Sequence, residues 1–455
     1  MAERKRLFGT DGIRGLANRD LTAELALNVS VAAAHILVES LKDPANTKAK
    51  AIVGSDSRAS GEFLEAAVVA GLSSAGVDVY RVGVLPTPAI AYLVAESGAD
   101  LGVMLSASHN PMPDNGIKLF ARGGGKLDDA IEDQIEARMN EPWNRPTGRA
   151  VGRVIEDNGA AERYLKFLQS AVDTNLDIKL TGLKVVVDCA NGAASFVAPE
   201  ALRRAGAEVI AVANTPDGWN INDGVGSTHL DFLKQQVKQY QADLGIAHDG
   251  DADRCLAVDA AGDEVNGDQI IAILASGLQA RGELAKSTVV ATVMSNIGFF
   301  KAMESANIKV ETTSVGDRYV LERMLAEDLT LGGEQSGHVI YRKFANTGDG
   351  ILTALLLLQE LKRTGKSLKE AASIMQKFPQ ILLNVRDVAK DKLEGNQAIK
   401  AAVAKSEAEL NGAGRVLLRA SGTEALVRVM VEASTDTLAS SVAEDLAKIV
   451  KKELG

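Results

Sequence analysis

The sequence is poor in cysteine and in aromatic side chains, and it has no long apolar run. Its two cysteines, Cys189 and Cys255, are too few for a disulfide framework and have no zinc-ligand spacing. Each sits in an apolar, strand-like stretch (KVVVDCA and RCLAVDA), the setting of a buried, reduced thiol. The longest apolar stretch, Ile351–Leu358, is too short to span a bilayer. The basic opening MAERKRLFGTDGIRG is followed by no apolar segment, which argues against a signal peptide. Positive charge is in deficit: the formal net charge of −10 is the wrong sign for a nucleic-acid binder. An anionic small molecule remains compatible, because a few arginines make a positive cleft in an acidic protein. A cytoplasmic protein with neither nucleic-acid nor membrane partners is expected.

Glycine is abundant, at 42 of 455 residues, and apolar runs are short and many. That combination suggests an α/β chain rich in tight strand–helix turns, long enough for about three or four domains. Strands are predicted at Ala51–Gly54, Val77–Val82 and Leu101–Leu105, with a helix at Gly61–Ala75. A second block has helices Tyr164–Val172 and Val197–Ala205 among strands Lys184–Asp188, Glu208–Val212, Leu244–Ala247 and Cys255–Val258. A third has helices Asp268–Gln279, Gly298–Ala306, Asp317–Ala326 and Gly350–Lys362 with strands Thr288–Val293 and Lys309–Thr312. The last block differs: strands Ile381–Val388, Arg415–Arg419 and Val427–Glu432 lack crossover helices between partners, the mark of an α+β unit. Polar segments Glu141–Gly159, Asp259–Asp263 and Phe378–Gln380 read as linkers. The expected domains are 1–155, 156–260, 261–375 and 376–455.

Four segments carry chemistry. SASHNPMPDNGIK, at Ser106–Lys118, follows an apolar strand, and ligands of open α/β sheets bind at strand C-termini. DGDADR, at Asp249–Arg254, places carboxylates at i, i+2 and i+4, so that they converge. Two such charges about 4 Å apart repel by about 4 kcal/mol at an effective dielectric of about 20, so three need a cation or a proton. Oxygen ligands favour Mg²⁺ or Ca²⁺ over zinc. An EF-hand fails, because loop position six would be Arg254 and position twelve Ala260. GGEQSGH, at Gly332–His338, offers hydrogen-bonding groups for vicinal hydroxyls. RASGTEALVR, at Arg419–Arg428, offers hydroxyls, backbone N–H groups and two arginines to a phosphate. Taken singly, each of these is also an ordinary turn. RGGGK, at Arg122–Lys126, is not a P-loop, since Leu127 replaces the Ser/Thr and Phe120 the first glycine. RASG recurs at Arg58–Gly61 and is read as coincidence. Phe8–Gly15 could place Arg14 beside an anion. His35, in a helix-like apolar run, reads as a packing residue, as His248 does beside the acidic loop.

Jointly and in this order, SASHNP, DGDADR, GEQSGH and RASGTE resemble the α-D-phosphohexomutase superfamily over essentially the whole chain. The resemblance implies three consecutive α/β domains with mixed sheets plus a C-terminal α+β domain around a central cleft. It implies that Ser108, rather than Ser106, carries a phosphoryl group, and that one Mg²⁺ per chain is held by Ser108, Asp249, Asp251 and Asp253. Lys118 is then the general base if its pKa falls, with His109 orienting and Arg14 and Arg254 adding charge. Glu334, Ser336 and His338 would hold sugar hydroxyls. Arg419, Ser421, Gly422, Thr423 and Arg428 would hold the phosphate that is not reacting. A sugar 1,6-bisphosphate would be both intermediate and activator, the partner a small sugar phosphate, and a homodimer the assembly to test for. FGTDGIRG, the Ser-Ala-Ser before His109 and Gln335 are similar to the members acting on glucosamine 6-phosphate. Members acting on mannose or glucose phosphates, a metal-dependent phosphatase and a non-catalytic phosphosugar binder are the alternatives. Ala420 and Ala425 stand where the family tends to have proline.

Overall fold

A computed structural model describes residues 6–9, 11–39, 48–420 and 426–455. They form two compact units, Met1–Val293 with Val310–Ala372, and Met294–Lys309 with Ser373–Gly455.

The first unit is built on three sheets. The first sheet has the order Ile13–Leu16, Asp114–Ala121, Leu101–Leu105, Lys50–Ser55, Asp78–Val84, Val154–Glu156. Its last four strands are parallel, while Asp114–Ala121 runs antiparallel to both of its neighbours. Every residue of Leu101–Leu105 is buried, as in a strand covered on both faces. Val103 and Leu105 pack with Leu64 and Val68 of helix Ser60–Ser74 and with Val29 of helix Ala23–Glu39. Burying each such side chain is worth roughly 1.5–3 kcal/mol, which fixes the strand whose C-terminal end carries Ser106. The second sheet has the order Glu264–Val265, Leu256–Asp259, Leu244–Ala247, Lys184–Asp188, Glu208–Val212. The third has Lys309–Thr313, Thr288–Thr292, Leu331–Gly333, Val339–Tyr341.

Two expected linkers are something else. Glu141–Gly159 contains Val154–Glu156, which pairs with Asp78–Val84 as the edge of the first sheet. Asp259–Asp263 is the turn of a hairpin joining Leu256–Asp259 to Glu264–Val265. The Asp259 carboxylate closes that turn by accepting from the N–H groups of Ala261 and Asp263. The segment after Pro113, read as loop, is the strand Asp114–Ala121, so Lys118 stands on a strand.

The apolar run Ile351–Leu358 lies in helix Gly350–Thr364, buried throughout. Asp349 caps it, accepting from Leu352 N–H at 2.9 Å, and also accepts from the Tyr164 hydroxyl at 2.8 Å. Burial pushes the Asp349 carboxyl up to about 6. An acid raised in the folded state penalises folding above its unfolded pKa, near 3.9, and the penalty is complete above about 6. Asp349→Asn keeps an oxygen acceptor without the charge. It should therefore gain roughly 3 kcal/mol at pH 7 and nothing at pH 4. Thermal midpoints compared at the two pH values check this; an equal gain at both would refute it.

The second unit holds an antiparallel sheet in the order Gln380–Arg386, Leu426–Glu432, Arg415–Ala420. Val427, Val429 and Val431 share a core with Ala439, Ala443 and Leu446 of helix Asp436–Leu454. Strand alternation then sends Arg428, Met430 and Glu432 to the other face. Among the described residues no helix is long and apolar enough to cross a membrane.

Candidate active site

Loops at the ends of three elements meet within the first unit. The Ser108 loop follows Leu101–Leu105, the acidic loop follows Leu244–Ala247, and residues 334–338 link Leu331–Gly333 to Val339–Tyr341. Ser108 is buried, and its hydroxyl donates to Asp249 Oδ2 at 2.6 Å. His109 Nδ1 lies 3.3 Å from the same hydroxyl. Burial, helped by Arg254 and Arg14, lowers the His109 pKa to about 4, so the ring is neutral at pH 7. The acidic and Ser108 loops approach so closely that a Cβ on Gly250 would lie 2.6 Å from the Ser108 carbonyl oxygen. Only glycine fits there.

Asp249, Asp251 and Asp253 are buried, and one carboxylate oxygen from each lies within 4.8 Å of the others. Burial, then Asp251 and Asp249, push the Asp253 carboxyl up to about 8. Burial and Asp251 likewise raise Asp249. For Asp251, burial opposes ionisation but Lys118 prevails and lowers its pKa. Among the described residues, Asp251 Oδ1 and Asp253 Oδ1 are buried without a hydrogen-bond partner. Converging, mutually repelling, under-bonded carboxylate oxygens fit a hard divalent cation.

Lys118 Nζ is 2.7 Å from Asp251 Oδ2, 2.8 Å from Asp11 Oδ2 and 3.8 Å from Asp253 Oδ2. Burial disfavours its charge, yet the three carboxylates outweigh burial and raise its pKa. The fall expected for Lys118 is thus the reverse of what its protein partners produce. Arg14 pairs with Asp11 and donates to the Ala107 carbonyl at 3.3 Å. Arg254 Nε lies 3.9 Å from Asp249 and from Asp253, without a hydrogen-bond partner among the described residues.

Residues 334–338 are tied to the acidic loop by a bridge between His338 and Arg254 and by Cys255 N–H donating to the Gly337 carbonyl at 3.0 Å. Glu334 Oε1 accepts from Gly316 N–H at 3.0 Å. His338 is buried, its ring 3.4 Å from Asp317, and Ser336 is half-buried beside it in the turn. His248 Nδ1 lies 2.9 Å from the Arg254 carbonyl oxygen, and burial lowers its pKa to about 4, in keeping with a packing role. His35 packs edge-on against Trp143. Both cysteines are buried free thiols.

In the second unit Arg419 and Arg428 stand opposite each other on paired strands. Burial and the Arg428 charge lower the Arg419 pKa, and Arg428 Nε is buried without a hydrogen-bond partner among the described residues. Two like charges side by side suit an anion. Ser421, Gly422 and Thr423, with Ala425, lie outside the described residues.

Sequence reasoning missed Thr87, whose hydroxyl donates to Asp251, and Lys126, half-buried between Asp11 and Asp317. It also missed Asp11 itself, two residues from the strand Ile13–Leu16, although the segment containing it was singled out. No local pattern marks these partners, because their spacing from the acidic loop is set by the sheet order.

Each region of the chain matches a model of one family. The matches are phosphoglucomutase/phosphomannomutase, alpha/beta/alpha domain I over residues 5–145, domain II over 162–262 and domain III over 266–378, with the C-terminal domain over 382–449. The chain belongs to the phosphoglucomutase/phosphomannomutase family of the α-D-phosphohexomutase superfamily, a class of mutases, and is an isomerase. It is 60% identical over 455 residues to a phosphoglucosamine mutase of Streptomyces griseus, covering 99% of this chain and 100% of the relative. A phosphoglucosamine mutase of Thermobifida fusca is 57% identical over 449 residues, 99% of each chain. In fold the chain is similar to a phosphoglucomutase/phosphomannomutase family protein of Burkholderia thailandensis. That likeness has a TM-score of 0.80 at 24% identity, covering 99% of this chain and 98% of the other. It is also similar to an Aspergillus fumigatus N-acetylphosphoglucosamine mutase solved with GlcNAc-6P and magnesium. There the TM-score is 0.69 at 18% identity, over 98% and 95% of the two chains.

Proposed function

We propose that the chain interconverts glucosamine 6-phosphate and glucosamine 1-phosphate through a phosphorylated Ser108. The observation that carries this reading is the Ser108 hydroxyl 2.6 Å from Asp249, at the edge of a buried carboxylate triad. Full-length identity of 57–60% to phosphoglucosamine mutases supports the sugar. Division into four domains at about residues 155, 260 and 375 is part of the proposal, and follows the four family matches closely.

In the forward step a sugar hydroxyl oxygen attacks phosphorus, and the bond from phosphorus to Ser108 Oγ breaks. The product is a 1,6-bisphosphate sugar and a free Ser108 oxygen. After the sugar turns over, the Ser108 oxygen attacks the other phosphorus, the bond from that phosphorus to the sugar oxygen breaks and the sugar oxygen takes up a proton, so the isomerised sugar monophosphate leaves and Ser108 is phosphorylated again. Asp249, Asp251 and Asp253 would hold Mg²⁺, which supplies charge neutralisation for the phosphoryl oxygens when bound. Lys118 receives the proton of the attacking hydroxyl. It reaches the neutral form required only when the charge of Asp11, Asp251 and Asp253 is compensated, since those carboxylates hold its proton in place. Neutral His109 orients the Ser108 oxygen, and Arg14 and Arg254 face the developing charge. Glu334, Ser336 and His338 hold sugar hydroxyls, and Arg419 and Arg428 bind the phosphate at rest, helped by Ser421, Gly422 and Thr423.

Assaying glucosamine, glucose and mannose 6-phosphates side by side, with product analysis, tests the reading. Glucosamine 6-phosphate should have a kcat/KM at least about tenfold above the others. A higher value for mannose or glucose phosphate reassigns the substrate, and release of inorganic phosphate without isomerisation makes the chain a phosphatase.

A further inference from the structure

The loop carrying Ser108 is gripped from behind by a side chain with no part in the chemistry above. Arg58 lies in the turn between strand Lys50–Ser55 and helix Ser60–Ser74, with its side chain fully buried. Its guanidinium makes four hydrogen bonds. Nε donates to Asp56 Oδ2 at 3.0 Å and Nη1 to the Pro111 carbonyl at 2.7 Å. Nη2 donates to the carbonyls of Ser108 at 2.9 Å and Asn110 at 2.8 Å. Asn222, from the second sheet's side of the unit, donates its Nδ2 to the same two carbonyls at 2.9 and 3.1 Å. Ser106 completes the frame. Its hydroxyl donates to Asp56 Oδ2 at 2.6 Å and accepts from Ser108 N–H at 2.9 Å.

Two features of Ser108 need such a frame. Its φ is +54°, a left-handed conformation that residues other than glycine hold only where the surroundings fix it. Its hydroxyl must also carry a phosphoryl group of charge roughly −1.5 to −2 among backbone carbonyls whose oxygens repel it. The carbonyls of Ser108, Asn110 and Pro111 are all engaged by Arg58, so none is left to face the phosphoryl group. Asp56 balances the guanidinium, which keeps the buried pair neutral overall. The RASG match at Arg58–Gly61 is therefore no second phosphate clamp; its arginine binds backbone.

We propose that Arg58 is a positioning residue for phosphoryl transfer: with Asp56, Ser106 and Asn222 it sets the Ser108 backbone so that the side-chain oxygen meets the reacting group in line. The proposal rests on Ser108 as phosphoryl carrier.

Arg58→Lys keeps the charge beside Asp56 but replaces a planar fork by three N–H groups on one nitrogen, which cannot span the carboxylate and three carbonyls. It should fold, with kcat lowered about a hundredfold, the cost of misplacing a reacting atom by about 1 Å. KM should stay within about threefold, because no substrate contact is lost. Labelling of Ser108 by a hexose 1,6-bisphosphate, followed by intact mass, should slow in parallel. If Arg58→Lys does not fold, Asn222→Ala removes one donor from the same carbonyls and should lower kcat about tenfold at unchanged KM. A folded variant with wild-type kcat and labelling, or with its whole loss in KM, overturns the proposal. Wild-type protein run alongside separates the two readings. Absence of labelling in wild type refutes the carrier role of Ser108, whereas equal labelling of wild type and variant refutes only the role of Arg58.

Discussion

Ser108→Ala is expected to lower mutase turnover by at least roughly 10⁴-fold while leaving the fold intact, the scale of losing a covalent nucleophile. The serine follows a fully buried strand, and among the described residues its hydroxyl meets Asp249 and His109, so alanine fits the same backbone. Removing the hydroxyl also removes a donor to a buried carboxylate that already carries excess negative charge, which costs about 1–3 kcal/mol of stability locally. Intact mass after incubation with a hexose 1,6-bisphosphate should show one added phosphate on wild type and none on the variant. Full turnover in Ser108→Ala, or the same added mass, would end the assignment.

Asp253→Asn is expected to act in opposite directions on stability and on turnover. Asp253 is buried with two other carboxylates that push its own carboxyl up to about 8, so an amide there removes the cost of charging or protonating that group which the metal-free protein bears. The thermal midpoint in chelator should therefore rise, by at least about 2–4 °C. Turnover should fall on the order of 10³-fold, because a charged oxygen of the cation site is gone. In wild type, Mg²⁺ added to chelator-treated protein should raise the midpoint by mass action; in Asp253→Asn that response should be absent or need far more Mg²⁺. A stability lower than wild type in chelator, or an unchanged Mg²⁺ response, would show that the triad is not a cation site. The stability readout needs no activity, so it separates the metal claim from the substrate claim.

Local pattern made much of the molecule legible. Strands Leu101–Leu105, Lys184–Asp188, Glu208–Val212 and Leu244–Ala247 and helix Asp317–Ala326 have the predicted bounds, because each is a short apolar run or an amphipathic segment whose period is set within a few residues. The convergence of Asp249, Asp251 and Asp253 was legible for the same reason, being a matter of spacing along one loop. Asp114–Ala121 was not, since its first residues, DNG, are turn formers. It becomes a strand by being clasped between Ile13–Leu16 and Leu101–Leu105. The short strands Leu331–Gly333 and Val339–Tyr341 are too brief for periodicity to register.

What the sequence determined by itself was the inventory: which loops carry hydroxyl, carboxylate, imidazole and guanidinium groups, and on which side of which strand they fall. Tertiary structure decided which of them meet. Ser108 and Asp249 are 141 residues apart, and Lys118 finds Asp11 and Asp251 rather than a cationic neighbour, which reverses the sign of its pKa shift. Arg58, which looked like an accidental repeat, becomes a backbone clamp because the sheet order places its turn under the Ser108 loop. Secondary structure follows from interactions a few residues in reach. Charge interactions depend on distance through space and on burial, and both are set only when the sheets are stacked.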